Sequence, residues 1–376
     1  MELDNLTHGL VGAAISKLGA ERITPLATTT LVIAANAPDI DVLSFLRGEY
    51  FALSFRRGIT HGWLALIVIP FVVTGVILAW DRTVRRRRSP DVNPVRPGPT
   101  LLLSFLGVST HPFLDWLNTY GMRWQLPFAD RWTYGDALFI IDPWVWLVLG
   151  GAVFLSSSPG RLGNTAWALL AGLLSFAFLV IPIPLAAKAT WTIGILIVLW
   201  IRFRGHTSFL ETSSMIPKGA LTAMVAYFVL MVSANLASRR HVRTTAAEAN
   251  LKVVDVMVSP QPANPFAGEV VVLTDVGFVP GTHHWLRNPR VELFPDQIVP
   301  LVNEVAEAER LEVIVEAARR YPDASHYLVW SRYPYVRIEP DGANWWVFFS
   351  DARYDRDNGV GGLSGLRIRI TEEQLR

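Results

Sequence analysis

The 376-residue sequence contains no cysteine, which excludes disulfides and thiolate ligands, so any bound metal must be held by His, Asp, Glu or Asn. It has no strong excess of either charge. Lys and Arg total 34 against 32 Asp and Glu, and the net +2 says little about partners. No G-x-G-x-x-G, P-loop, H-E-x-x-H or G-x-S-x-G arrangement is present, so the familiar phosphate cradles, zincin helix and nucleophile elbow are absent. The one dense basic run, Arg82 to Arg96, lacks interleaved aromatics, and no nucleic-acid partner is expected. The opening residues MELDNLTHGL carry neither a basic n-region nor a small-residue cleavage site, so no removable signal peptide is expected.

What is abundant is apolar surface. Hydrophobic residues make up 51% of the chain, with 14 Trp, which points to a membrane protein carrying a more polar region. Crossing ~30 Å of hydrocarbon takes about 20 helical residues. Gly62 to Trp80, Thr100 to Asn118, Ile140 to Ser156, Thr165 to Pro184, Trp191 to Arg202 and Leu221 to Ala237 fit that requirement, the fifth being short. Leu6 to Leu18 and Pro25 to Pro38 are shorter still and fit thin spans, a re-entrant pair or buried helices packed through Gly9, Gly12, Ala13 and Ala14. The expected fold is mostly α: a polytopic helical membrane bundle over residues 1–240, followed by a small α+β soluble domain over 246–376. In that second region Leu251 to Val258, Glu269 to Asp275, Asn344 to Ser350 and Leu366 to Ile370 read as strands, and Val299 to Arg320 has helical spacing. Pro260 to Pro265 reads as a rigid connection.

The ionisable residues of the apolar part are few and placed together. Thr7-His8, Thr60-His61 and Thr110-His111 stand at the ends of apolar stretches, with Asp39, Asp41 and Asp115 nearby. Imidazole and carboxylate are costly beside hydrocarbon unless a function or a partner retains them. Taken singly, each has a plain structural reading. A His at a helix end is commonly a cap, and Pro38-Asp39-Ile40-Asp41 is ordinary boundary chemistry. Thr282-His283 repeats the pair in a polar region, so placement carries the argument rather than the dipeptide. Jointly, neutral imidazole plus carboxylate is the ligand set of hydrolytic zinc and manganese centres. His111 and Asp115 are four apart, so they share one helix face, and an unpaired carboxylate there needs a partner, which metal coordination would supply.

Orientation follows from the Arg cluster. With Arg82 to Arg96 cytoplasmic, His61, His111 and Asp115 fall on the opposite side, as do His8 and the Pro38 to Asp41 segment if the first two stretches cross, and the C-terminal domain is expected to be extracytoplasmic. Arg239, Arg240 and Arg243, which follow the last span, argue against that orientation.

The segments Thr7-His8-Gly9, Pro38-Asp39-Ile40-Asp41, Arg57-Gly58-Ile59-Thr60-His61, His111-Pro112-Phe113-Leu114-Asp115, Asn118-Thr119-Tyr120-Gly121, Trp132-Thr133-Tyr134-Gly135-Asp136 and Ile140-Ile141-Asp142-Pro143 together resemble the YdjM-like membrane-bound metal-dependent hydrolases of bacterial inner membranes. The resemblance spans roughly residues 1 to 145. It implies a multi-pass inner-membrane hydrolase with a His/Asp metal site. Arg56 stands where members often carry His, which removes one ligand and leaves the number of metals open.

On this reading a divalent metal, zinc foremost or manganese, is bound by His8, Asp39, His61, His111 and Asp115, and water it activates attacks an anionic ester. Asp41 serves as general base or bridging ligand. Asp136, Asp142 and Asn118 complete a second metal or orient a ligating imidazole. Arg57, with Arg56, suits an anionic substrate, and a location at the bilayer surface favours a lipid phosphoester. Their ordinary alternative is to anchor the chain to anionic headgroups. The rival function is an ion- or proton-coupled transporter using the same His/Asp cluster. A third possibility is an inert membrane anchor for a C-terminal binding module.

Overall fold

The computed structural model describes residues 5–157, 160–181, 183–204, 214–303, 308–354 and 361–375. The chain is 58% helical, with the helices leading and a small antiparallel sheet region at the C-terminus, so the polytopic helical bundle followed by an α+β region is the architecture observed. Helices α1 (Asn5–Ser16), α2 (Ala27–Asn36), α3 (Glu49–Phe55), α4 (Trp63–Trp80, helical on to Arg88), α5 (Pro97–Trp116), α6 (Pro143–Leu155), α7 (Arg161–Val180), α8 (Leu185–Arg204) and α9 (Met215–Glu248) come first.

Among the described residues, five helical segments are long and apolar enough to cross a membrane: Ala27–Arg47, Trp63–Arg88, Arg161–Val180, Leu185–Arg204 and Met215–Glu248. Two of the expected spans behave differently. The Thr100 to Asn118 stretch forms the 20-residue α5, which Ser104, Thr110, His111 and Asp115 keep out of that apolar class. The Ile140 to Ser156 stretch yields only the 13 residues of α6, since Asp142-Pro143 sets its start. At the helical rise that is about 20 Å, short of the hydrocarbon thickness. Conversely, the Pro25 to Pro38 stretch continues in a 3₁₀ segment, Ala37–Arg47, and becomes long enough. The outward faces of α7 and α8 display Leu169, Leu173, Phe176, Ile193 and Trp200, apolar surface suited to lipid.

The chain divides into two compact units. The first comprises Met1–Ile40, Arg57–Asn235 and Ser259–Pro265. Its centre is the crossing of α1, α2 and α5. Small residues make the approach possible: a Cβ on Gly12 would lie 2.7 Å from the Leu31 carbonyl, and one on Gly107 would lie 2.7 Å from Ala34 Cβ. Leu10, Ala14, Leu114, Leu117, Val145, Trp146 and Leu149 fill the adjoining core.

The second unit comprises Asp41–Arg56, Leu236–Val258 and Phe266–Arg376. Strands β1 (Val253–Gln261), β2 (Asn264–Thr274), β3 (Gly277–His284) and β4 (Val291–Leu293) lie side by side in that order, with β5 (Val299–Pro300) also on β3. Val242 and Ala246 of α9 pack on this sheet with Val256, Val258, Val270, Val272 and Val279. A second sheet is the antiparallel meander β6 (Pro334–Asp341), β7 (Asn344–Asp351) and β8 (Gly365–Ile370), flanked by α10 (Ala308–Arg319) and α11 (Pro322–Trp330). The helical stretch read from Val299 thus starts later, at Ala308, because Val299–Pro300 pairs with β3; positions 304–307 lie outside the described residues. The expected Pro260 to Pro265 connection reduces to the two-residue turn Pro262-Ala263, since Pro260-Gln261 end β1 and Asn264-Pro265 begin β2.

Candidate metal centre

Four side chains from three sequence segments converge in the first unit. Pro38 ends α2, since a proline restricts the residue before it and leaves the helix ladder, and the 3₁₀ turn that follows carries Asp39. His61 sits just before α4, where Gly62 lets the chain pass under the 123–126 loop: a Cβ there would meet the Leu126 carbonyl at 2.7 Å. His111 and Asp115 come from one face of α5. A donor atom from each of Asp39, His61, His111 and Asp115 lies within 4.8 Å of the others, and all four residues are buried.

The distances are short throughout. His61 Nε2 is 3.0 Å from His111 Nε2, 3.1 Å from Asp115 Oδ2 and 3.7 Å from Asp39 Oδ1. His111 Nε2 is 3.5 Å from Asp39 Oδ1 and 3.6 Å from Asp115 Oδ2. Around a tetrahedral zinc with bonds of about 2.1 Å, ligand atoms stand about 3.4 Å apart, so this donor set has the right span.

The ring orientations are held from outside. His111 Nδ1 lies 2.6 Å from the Ala35 carbonyl, an acceptor only, so this nitrogen carries the hydrogen. In the neutral imidazole the Nε2 lone pair then faces the two carboxylates. His61 Nδ1 is 2.9 Å from Thr60 Oγ1. Lone pairs and carboxylates facing one another in a buried space repel unless a cation or a proton stands among them. His8 stacks on His111 with ring centroids 3.7 Å apart, and its Nε2 is 3.4 Å from Asp115 Oδ1.

Arg57 organises the carboxylate. Its Nη2 is 2.9 Å from Asp115 Oδ1, its Nη1 donates to Asn118 Oδ1 at 2.7 Å, and its guanidinium lies over the Tyr120 ring at 4.8 Å. Asp115 is thereby divided, with Oδ1 turned to Arg57 and His8 and Oδ2 to His61 and His111. Arg57 adopts φ 52°, in the left-handed region that costs a branched or long side chain about 1 kcal/mol or more, and such strain gathers at functional sites.

The remaining residues singled out in the sequence are elsewhere. Asp41 Oδ1 accepts from Arg56 Nε at 3.2 Å, and both are buried in the second unit. Asp142 caps α6, its Oδ1 accepting from the Trp144 and Val145 amides and its Oδ2 from Tyr227 Oη at 2.7 Å. Asp136 is fully buried, and its carbonyl accepts from Asn235 at 2.7 Å. Of the paired threonines, Thr60 meets its own histidine, whereas Thr7 accepts from Trp146 Nε1 at 2.9 Å and Thr110 donates to the Gly107 carbonyl. Two contributors carried no sequence signal: the Ala35 carbonyl, because any residue has one, and the grip of Arg57 on Asp115, because 58 positions separate them.

The model of the family described as YdjM inner membrane protein matches residues 3–188, the stretch that holds all four of these residues. The N-terminal half of the chain belongs to the YdjM family. Among curated relatives, Escherichia coli inner membrane protein YbcI is 29% identical over 167 residues, 38% of this chain and 90% of YbcI. Bacillus subtilis YfhP is 22% identical over 181 residues, 45% of this chain. The chain spans about half, 52%, of the length of YfhP. No solved structure matches. The YdjM family is one of inner-membrane proteins, in keeping with the five apolar helices.

Proposed function

We propose that this YdjM-family chain is a membrane-bound hydrolase that holds a divalent cation, zinc or else manganese, among Asp39, His61, His111 and Asp115 and cleaves an anionic ester, a lipid phosphoester foremost, at the membrane surface. The observation that carries the reading is the convergence of two imidazole nitrogens and two carboxylates, all buried, within 4.8 Å. A mixed nitrogen and oxygen donor set without sulfur suits zinc or manganese. When bound, such a cation supplies Lewis acidity toward an ester oxygen and toward water.

The chain's own residues supply the frame. The Ala35 carbonyl fixes the tautomer of His111, and Thr60 orients His61. Arg57, itself held by Asn118, grips Asp115 Oδ1 and so aims Oδ2 inward. His8 stands at the edge of the set as a further nitrogen within 3.4 Å of Asp115. Burial of the whole group excludes bulk water, which strengthens every electrostatic contact in it.

The separation of the two Nε2 atoms, 3.0 Å, also favours a shared proton, the arrangement a proton-coupled transporter would use. The readings part in one experiment. Detergent-purified protein is analysed for bound metal and then assayed against phosphomonoesters, phosphodiesters and phospholipids, with and without chelator. Near-stoichiometric metal and chelator-sensitive turnover support the hydrolase. Metal-free protein that moves protons in proteoliposomes, and stops when His61→Ala is introduced, replaces it with the transporter.

A further inference from the structure

In the second unit a pocket of about 660 Å³ opens between the C-terminal part of α9 and the connection from β3 to β4. His241 and Thr245 line it from the helix; Trp285, Leu286, Arg287 and Arg290 line it from the connection, and no carboxylate is among its lining residues. Neither Arg287 nor Arg290 forms an ion pair with any described residue. Behind this wall His283 is 1% exposed, its ring edge-on to Trp285 at 4.9 Å and to His241 at 6.0 Å. Its Nε2 has no hydrogen-bond partner among the described residues. Two guanidiniums, an imidazole and a hydroxyl around one concavity, uncompensated by any acid, form a receptor for an anion with several acceptor oxygens.

Depth along the helix says which anion. The apolar run of α9 ends at Ala237, and His241 lies four residues on, about 6 Å at the helical rise. The headgroup layer extends roughly 5–7 Å beyond the hydrocarbon on each side. Leu286, 78% exposed beside Arg287, and the partly exposed Trp285 give the rim an apolar and aromatic character that a site for a free ion does not need and that an interfacial site uses.

We propose that this pocket binds the phosphate of an anionic phospholipid headgroup, with Arg287 and Arg290 gripping its oxygens and Leu286 entering the acyl boundary. The site is separate from the metal centre and stands or falls without it.

The test uses the full chain in detergent, titrated with short-chain phosphatidylglycerol, short-chain phosphatidylcholine and inorganic phosphate, and read by native mass spectrometry. Phosphatidylglycerol is expected to bind at least tenfold more tightly than phosphatidylcholine. The double variant Arg287→Ala with Arg290→Ala should lose that preference, and Leu286→Ser should weaken phosphatidylglycerol while leaving inorganic phosphate unchanged. Arg287→Gln alone, an exposed change, serves if the double variant unfolds, and should reduce the preference severalfold. Equal binding of both lipids, or an undiminished preference in the arginine variants, overturns the proposal. Tight binding of inorganic phosphate with no effect of Leu286→Ser overturns the lipid assignment in favour of a free anion.

Discussion

His111 gives its Nδ1 hydrogen to the carbonyl of Ala35 across 2.6 Å, and this one bond decides that its other nitrogen looks inward at Asp39 and Asp115. A backbone acceptor cannot be removed by substitution, so the tautomer is built into the crossing of α2 and α5. The side chain itself can be removed. His111→Ala combined with Asp115→Ala deletes a nitrogen and a carboxylate from the set of four, and metal content by elemental analysis is expected to fall from near one equivalent to background. Unchanged metal in that double variant would sink the assignment.

Arg57 and Asp115 form a buried ion pair at 2.9 Å. Arg57→Ala leaves the carboxylate without that partner, an effect of about 3–5 kcal/mol in comparable buried pairs, so a thermal midpoint several degrees lower is expected. Arg57→Gly relieves the left-handed backbone yet still loses the pair, and should also destabilise. If the glycine variant were as stable as the parent, the pair would contribute no more than the backbone strain that glycine relieves, about 1–2 kcal/mol.

The approach of α5 to α2 depends on Gly107. A valine there would place atoms against Ala34 Cβ and the Leu31 carbonyl, where even a Cβ is at 2.7 and 3.1 Å, and one of these contacts is backbone that cannot yield. Gly107→Val should therefore shift His111, one turn further along, and lower metal affinity by tenfold or more. Gly75→Ala, which meets nothing within 4 Å, is the control and should bind metal as the parent does.

Topology is open to labelling because the native chain has no cysteine. With the Arg85 to Arg88 segment cytoplasmic, Ser89→Cys should resist an impermeant maleimide in intact cells and Ser325→Cys should react; both positions are exposed. The reverse labelling pattern would place the C-terminal region in the cytoplasm.

In the second unit, acid should act in two stages. Burial pushes the His283 imidazole down, reinforced by the charges of His241, His284 and Arg290, to about 4. The unfolded chain takes up that proton near 6.5, so stability is complete above 6.5 and falls as the pH drops toward 4. Burial would raise Asp351, but Arg353, donating to its oxygens at 2.9 and 3.0 Å, outweighs that and holds it below its ordinary 3.8. Its contribution is present above 3.8 and is lost as pH falls further. Urea unfolding followed by tryptophan fluorescence should show the midpoint declining through both windows, and His283→Gln should flatten the upper one. A midpoint constant from pH 7 to 4 would contradict the His283 assignment.

Much of this protein is legible in one dimension because the bilayer makes polarity expensive. Runs of some 20 apolar residues had to be helices, and six ionisable residues at their ends had to be explained, so His8, Asp39, Asp41, His61, His111 and Asp115 stand out without a structure. The i, i+4 spacing of His111 and Asp115 likewise places both on one face. The alternating valines of the last third mark β1 and β2 by period alone. Which of those ionisable residues meet is another matter, because it depends on helix crossings that Gly12 and Gly107 permit and no pattern announces. Tertiary structure gathered Asp39, His61, His111 and Asp115, paired Asp41 with Arg56, turned Arg57 onto Asp115, and gave Asp142 to a helix cap and Tyr227. The exclusion of α5 from the apolar class of spans, by contrast, lies in its own composition, through Ser104, Thr110, His111 and Asp115. Sequence determines what each residue costs in a membrane; only packing determines which partner offsets that cost.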